Sequence, residues 1–411
     1  LSSFQSSHWS PVPGGITAPD GYQASGVCAG LKPSQKPDLA LILAPQDALC
    51  TGTFTQSTVR AKCVDLCSER LAKTAGRVRA ILVNSGHANA CTGERGLRDS
   101  VIATKAVAEQ LGLLEEEVLM CSTGVIGEAI PIQKLLEGVK PLINSLDREG
   151  GLEAARAILT TDLSPKYISI ESFLGDKCVR IGGMAKGSGM IHPSMATMLG
   201  FLTCDVSLPK DVWKAMIKRV VNYSFNSISV DGDTSTNDSF LAFAAGECVD
   251  QKYFEDIENG LTIVATHLAK SIARDGEGSN CLIEIKVEGT EKIAEAQIVA
   301  RKISSSSLVK TAVHGCDPNW GRIIAAAGNA GIPFRLEDVS LWIGKYKLMD
   351  NGLPLDVDRQ SVSRYMKEIV KGKEKKTLII HLIIGKGKEK ALSWGCDLSS
   401  EYVHINADYT T

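Results

Sequence analysis

Apolar residues recur along this chain in two alternating rhythms. Asp38-Leu-Ala-Leu-Ile-Leu43 is a short unbroken apolar run, as expected of a strand buried on both faces. Alternating Thr, Phe and Val across residues 51–61 predict a second strand, and residues 79–84 a third. The third ends in Asn84-Ser-Gly-His-Ala-Asn-Ala-Cys-Thr-Gly93, whose small polar residues predict a loop of the kind that lines a site. Residues 100–111 return to helical spacing, with Ser100 as the N-cap. Residues 118–120 form a strand that gives way to a glycine loop at 121–127. Pro131 then opens an amphipathic helix with Ile132, Leu135, Leu136, Val139, Leu142, Ile143 and Leu146 on one face and Pro141 as a kink. A further helix over 152–159 ends at Thr160-Thr161-Asp162.

The alternation continues past the midpoint. Residues 199–203 read as a buried strand, and Pro209 starts a helix with Val212, Trp213, Met216 and Val220 facing inward. Residues 230–239 form a polar loop. Leu261, Val264, Ala265, Leu268 and Ile272 mark a helix that Gly276 terminates, and Cys281, Ile283, Ile285 and Val287 alternate as a strand. Such an order predicts α/β or α+β layers rather than a bundle or a sandwich of sheets alone. Near residue 282 the texture changes, which places a domain boundary there. Val339, Leu341 and Ile343 alternate, a linker with Pro354 follows, and residues 378–384 form another strand. Tyr402, Val403 and Ile405 in the tail predict an ordered end, and no repeat of solenoid period is present.

Composition narrows the picture without changing it. A chain of 411 residues with 44% apolar and 22% charged residues is an ordinary globular sequence of two or three domains. Its formal charge of -2 gives no general pull toward nucleic acid or an acidic membrane. The basic runs 371–376 and 386–390 flank an apolar stretch and read as solvated strand ends. No apolar run approaches the roughly 18 residues that span a bilayer. The opening Leu-Ser-Ser-Phe-Gln-Ser-Ser lacks the charged and apolar regions of a signal peptide, and it lacks an initiator methionine. Twelve cysteines lie in apolar or small-residue settings without zinc spacing, so reduced thiols in a cytosol-like compartment are expected.

Most familiar catalytic signatures are excluded. Lys186-Gly-Ser inverts the order that a phosphate-binding loop requires, and Gly187-Ser-Gly189 is followed by His192 where a dinucleotide fingerprint needs a small residue. Asp231-Gly-Asp233 begins like a calcium loop, but Thr236 and Ala242 stand where the turn glycine and bidentate carboxylate belong. His87, His192 and His314 show no metal spacing and read as local hydrogen-bonding residues. What remains is Thr197, at the end of a glycine-rich stretch and without an evident base. Cutting the chain before it would make its own α-amine, with a pKa near about 8, the missing base. The small Ala196 leaves room for the hydroxyl to reach the preceding carbonyl.

Six segments now combine: Lys186-Gly-Ser-Gly-Met-Ile-His-Pro-Ser-Met-Ala-Thr-Met-Leu199, Ser122-Thr-Gly-Val-Ile-Gly127, Asp231-Gly-Asp-Thr-Ser-Thr-Asn-Asp238, Arg274-Asp-Gly-Glu-Gly278, Asp317-Pro-Asn-Trp-Gly-Arg322 and Ile405-Asn-Ala-Asp-Tyr-Thr-Thr411. In this order and spacing the chain, from about Pro13 to its last residue, closely resembles the ornithine acetyltransferase family, the glutamate N-acetyltransferases of arginine biosynthesis. The resemblance implies a layered αββα-type sandwich as the catalytic core over 1–282, with a smaller C-terminal α/β domain over 283–411 whose tail returns to the active site. It also implies a precursor that cleaves itself between Ala196 and Thr197 into α and β chains, assembled as an (αβ)2 heterotetramer. Thr197 is then the nucleophile that takes the acetyl group from N-acetylornithine and passes it to glutamate. Thr123, through its hydroxyl, and Gly124, through its backbone amide, are the implied oxyanion donors. Thr160, Lys186, Glu277, Asn406 and Thr411 are the implied substrate contacts, with Thr161 an alternative to Thr160. Neither a metal nor an organic cofactor is implied, and acetyl-CoA is left open as a second acetyl donor. His87 and Ser194 depart from the common family spelling and put fine selectivity in doubt, not the reaction.

Two competing functions fit parts of the same pattern. One is a threonine-nucleophile amidase or aminopeptidase in which water deacylates the threonine. The other is an amino-acid-binding protein that never cleaves. A cytoplasmic location and a plastid stroma both suit reduced cysteines.

Overall fold

Strands buried on both faces need a layer on each side, and this chain supplies them in the order helix, sheet, sheet, helix. The computed structural model describes residues 8–192, 198–372 and 376–408. Leu39–Leu43 pairs antiparallel with Gln23–Val27 on one side and with Ala80–His87 on the other, and Val118–Val125 runs parallel beside the last. These four strands form one sheet. A second, six-stranded sheet has the order Ser10–Val12, Lys166–Leu174, Lys177–Lys186, Leu199–Cys204, Ser239–Ala244, Leu49–Phe54.

Alternation along each strand decides which layer its side chains join. In Leu39–Leu43, Ala40 and Ile42 face the other sheet, where they share one core with Ile81, Leu119, Met184, Phe201, Leu241 and Phe243. Leu39 and Leu41 face the opposite way, onto the helices Lys62–Lys73, Gly93–Leu111 and Ile132–Asn144, through Val64, Val107, Leu135 and Val139. The outer face of the six-stranded sheet is covered by the helices Lys210–Tyr223 and Phe254–Arg274, with Trp213, Ile217, Leu261 and Leu268 inward. The core is therefore the layered αββα sandwich.

The C-terminal part has its own apolar core. A seven-stranded sheet, whose central strands are Glu389–Cys396, Leu282–Thr290, Thr377–Ile383 and Ser340–Ile343, packs on Ile293–Ser304, Ser307–His314, Trp320–Gly328 and Arg359–Val370. Its edge is the two-residue strand Ile228–Ser229, which pairs with Trp394 and Gly395 and so ties this sheet to the sandwich. Among the described residues no helix is long and apolar enough to cross a membrane. All twelve cysteines are free thiols, most of them buried.

Three local expectations are corrected. Ser100 is not a cap: the helix begins at Gly93, and the Ser100 hydroxyl donates to the Gly96 carbonyl (2.9 Å) and accepts from Asn89 (2.8 Å) inside it. The segment around Pro354 is not merely a linker. It carries the strands Tyr346–Asp350 and Leu353–Pro354 and the helix Arg359–Val370, N-capped by Asp358.

The polar stretches after Asn84 and Cys121 are not loops at their start, because the strands run on through His87 and Val125. Their backbones pair Ser85 with Thr123 and Gly86 with Gly124, so ladder hydrogen bonds replace an apolar pattern. Gly124 has φ +135, and a Cβ there would sit 2.1 Å from the Gly86 carbonyl carbon. Gly127 has φ +87 with open space around its Cβ. Gly124→Ala is therefore expected to destabilise the fold by more than Gly127→Ala. The latter carries only the left-handed penalty of about 1–2 kcal/mol, and thermal melts of the two variants check the order.

Candidate active site

Where Ala80–His87 and Val118–Val125 end, a cavity of about 340 Å³ opens between the sandwich and the C-terminal tail. Thr123 and Gly124 reach it from the end of a parallel strand, and Lys186 is the last residue of Lys177–Lys186. Thr160 and Thr161 come from the turn after the helix Gly151–Ala157, Glu277 from the turn after Phe254–Arg274, and Asn406 from the tail helix Ser400–Ala407. The structure thus brings together Thr123, Gly124, Thr160, Lys186, Glu277 and Asn406. Ala196, Thr197 and Thr411 lie outside the described residues.

Lys186 is 4% exposed, and its ammonium donates to the Thr123 hydroxyl at 3.1 Å. Burial lowers its pKa, and the nearby Asp162 works against that shift. A hydroxyl has one proton to donate. With its oxygen accepting from Lys186, Thr123 keeps that proton for another acceptor. The Asp162 carboxylate, fully buried, accepts from the Gly187 amide at 2.7 Å and from Lys166 at 2.6 Å. Burial pushes the Asp162 pKa up, but Lys186, Lys166 and the Gly187 amide overcome it and hold the group at about 2.

Opposite Lys186 stands an acceptor. Glu277 takes the Thr161 hydroxyl on one carboxylate oxygen (2.8 Å) and the Asn406 amide on the other (2.9 Å). Its own backbone amide donates to the Ser188 carbonyl at 2.9 Å, and Thr161 and Ser188 share a 2.7 Å hydroxyl contact. Thr160 and Thr161 both line the cavity, but Thr161 is the one whose hydroxyl is fixed to Glu277. An ionised carboxylate has about four acceptor positions, so Glu277 retains capacity for an ammonium group. The cavity therefore offers a cation on one wall and an anion on the other, the pairing an amino acid requires.

Met198 is anchored: its amide donates to Asp238 at 2.9 Å. Asp238 is buried, and among the described residues its other carboxylate oxygen has no hydrogen-bond partner within normal geometry. Burial raises its pKa, opposed by the Met198 amide and by Lys186. Asn237 clamps the Ser122 carbonyl at 2.8 Å and the Ala88 carbonyl, fastening this loop to the strand that carries Thr123. Sequence reasoning noted the 231–238 and 274–278 segments but missed Asp162, Lys166 and Asp275 as one charged group. Two of the three histidines singled out behave as local partners, whereas the buried Nδ1 of His87 has no hydrogen-bond partner among the described residues. His192 contacts Ser229 at 3.3 Å, His314 pairs with Asp397 at 2.9 Å, and burial lowers the pKa of His87. Among the described residues no group of His, Cys, Asp and Glu has the arrangement of a metal site.

Comparison with known proteins gives a family match described as the ArgJ family over residues 23–411. The chain is 68% identical, over 100% of both sequences, to the arginine biosynthesis bifunctional protein ArgJ of a Prochlorococcus marinus strain. It is 50% identical to the protein of the same name from a Synechocystis strain, over 98% of this chain and 99% of that one. Among solved structures it is similar to an ornithine acetyltransferase from Mycobacterium tuberculosis complexed with ornithine. That likeness has 41% identity, covers 45% of this chain and 98% of the other, and has a TM-score of 0.42.

The depressed pKa of Asp162 has a consequence for stability. A carboxylate held near 2 when folded and near 3.8 otherwise stabilises the fold above about pH 4, and loses that contribution as pH falls toward 2. The contribution at neutral pH is on the order of 2 kcal/mol. Denaturant midpoints of wild type and Asp162→Asn should therefore differ most above pH 4 and converge as pH falls from 4 to 2.

Proposed function

This chain belongs to the ArgJ family, and on that basis we propose that it is the self-processing acetyltransferase that moves an acetyl group from N-acetylornithine to glutamate. The observation that supports this reading most is the meeting of Thr123, Gly124, Lys186, Glu277 and Asn406 at one cavity, from strands and turns far apart in the chain. In the proposed reaction the Thr197 hydroxyl attacks the acetyl carbonyl while its α-amine takes the proton, ornithine leaves, and an acetyl-threonine ester remains. The amine of glutamate then attacks that ester and releases N-acetylglutamate. Breaking one amide to make another leaves the overall free energy nearly level, so no energy-supplying cofactor is needed.

Both half-reactions place negative charge on a tetrahedral oxygen. The Thr123 proton, kept free by the Lys186 contact, and the Gly124 amide are the proposed donors to it. The same Lys186 is poised to pair with a substrate carboxylate, and Glu277 with its ammonium. The α-amine exists only after the chain is cut between Ala196 and Thr197, and the two products are proposed to stay together as an (αβ)2 assembly in a cytosol-like compartment.

Purified wild-type protein should run as two chains under denaturing conditions, and Thr197→Ala as a single 43.9 kDa species. N-acetylglutamate should form from N-acetylornithine only when glutamate is present. Acetate released without glutamate would make the protein a hydrolase instead. Thr123→Val should lower kcat by about 10²–10³ with little change in KM. Supplying acetyl-CoA and glutamate alone tests the second donor directly.

A further inference from the structure

Beneath the cavity lies a charged group that the proposed reaction leaves without a task. The Lys166 side chain is 2% exposed, and its ammonium spends all its donors inside the protein: Asp162 at 2.6 Å, Asp275 at 2.7 Å and the Ser164 carbonyl at 3.4 Å. Asp275 in turn accepts from the Leu163 amide at 3.0 Å and stands two residues before Glu277, while Asp162 holds the amide of Gly187, next to Lys186. One ammonium thus joins the turn carrying Thr160 and Thr161, the strand end carrying Lys186 and the turn carrying Glu277.

The bridge also decides which pairs form. Asp162 lies close enough to Lys186 to lower its own pKa, yet among the described residues it makes its ion pair with Lys166. Lys186 is left to donate to Thr123. We propose that Lys166 is a positioning residue for acetyl transfer: by bridging Asp162 and Asp275 it keeps Asp162 from capturing Lys186, and so keeps the Lys186 ammonium on the Thr123 hydroxyl. The inference rests on the reading of the cavity as an acetyl-transfer site.

Charges on every side of Lys186 enter the test. Asp162, Glu277 and Asp238 favour its ammonium form, whereas burial, Lys166 and the neighbouring Lys32 oppose it. Lys166→Met removes an opposing charge and Asp162→Asn a supporting one, so the two substitutions shift the Lys186 titration in opposite directions. Lys166→Met should lower kcat, by about 10- to 100-fold for a displaced donor, and Asp162→Asn, which removes the competing carboxylate, by less, with KM for N-acetylornithine near its wild-type value in both. The alkaline limb of kcat should move up in Lys166→Met and down in Asp162→Asn. Lys166→Arg, which keeps the charge, should recover part of the rate and the wild-type limb.

Lys166→Met takes the ammonium partner away from the buried Asp275 carboxylate. The double variant Lys166→Met/Asp275→Asn, which removes one charge of each sign, gives the same reading if the single variant does not fold. An active wild type whose folded variants show unmoved limbs, or limbs moved in one direction, overturns this inference alone. A wild type that transfers no acetyl group overturns it together with the reading of the site.

Discussion

Burying a carboxylate or an ammonium costs several kcal/mol per ion unless partners replace the lost water. Asp162, Lys166 and Lys186 are all nearly or wholly buried side by side, and of the three only Lys186 lines the cavity. No apolar packing argument favours such a group, and breaking it by removing one member leaves a charge stranded. What it provides is geometry. Each member has its donors or acceptors committed to a different segment, so the turn at 160–162, the strand end at Lys186 and the turn at 275–277 are held in one register. The αββα layers bring these segments near one another, and the ionic bridge fixes them against each other.

A second constraint works through backbone alone. Gly124 lets its strand approach the parallel strand at Gly86 and His87 more closely than any side chain would permit. That approach sets where the Gly124 amide and the Thr123 hydroxyl stand relative to Lys186. Asn237 then locks the strand from the other side through the Ser122 and Ala88 carbonyls, and the adjacent Asp238 holds the amide of Met198. Side-chain charge and main-chain proximity therefore converge on the same few ångströms from opposite faces of the cavity.

Elements whose formation is driven by burial were legible in the sequence. Leu39–Leu43, Ile132–Asn144, Lys210–Tyr223 and Leu282–Thr290 declare themselves through apolar spacing because each places that face in a core. Elements held by hydrogen bonds were not. Asn84–His87 and Ser122–Gly124 look like loops because their strand character lies in ladder pairing, which leaves no mark on side-chain hydropathy. The hairpin of Lys166–Leu174 and Lys177–Lys186 was hidden in the same way, its apolar positions diluted by Ser169, Glu171, Ser172, Arg180 and Gly182. For the site, pattern alone offered the small polar stretch 84–93, of which Ala88 lines the cavity, a glycine-rich stretch and Thr197, and the family resemblance supplied the rest. Lys166 escaped both, since its role exists only after distant residues are brought together.

The tail shows why fold and site are not separable in this chain. The helix Ser400–Ala407 has no fully buried residue, and with only Tyr402 and Ile405 half-buried little apolar surface holds it down. It is held instead by polar contacts at the cavity rim: Ser399 to the Gly278 carbonyl (2.7 Å), Tyr402 to Asp231 (3.2 Å) and Asn406 to Glu277 (2.9 Å). Gly278, at φ +68, has no room for a Cβ because the Tyr402 amide would lie 2.6 Å from it, so the tail rests directly on the turn that presents Glu277. The carboxylate proposed to receive a substrate ammonium is thus also the acceptor that docks the C-terminal helix. The position of the tail and the charge on the cavity wall are consequently set by the same side chain.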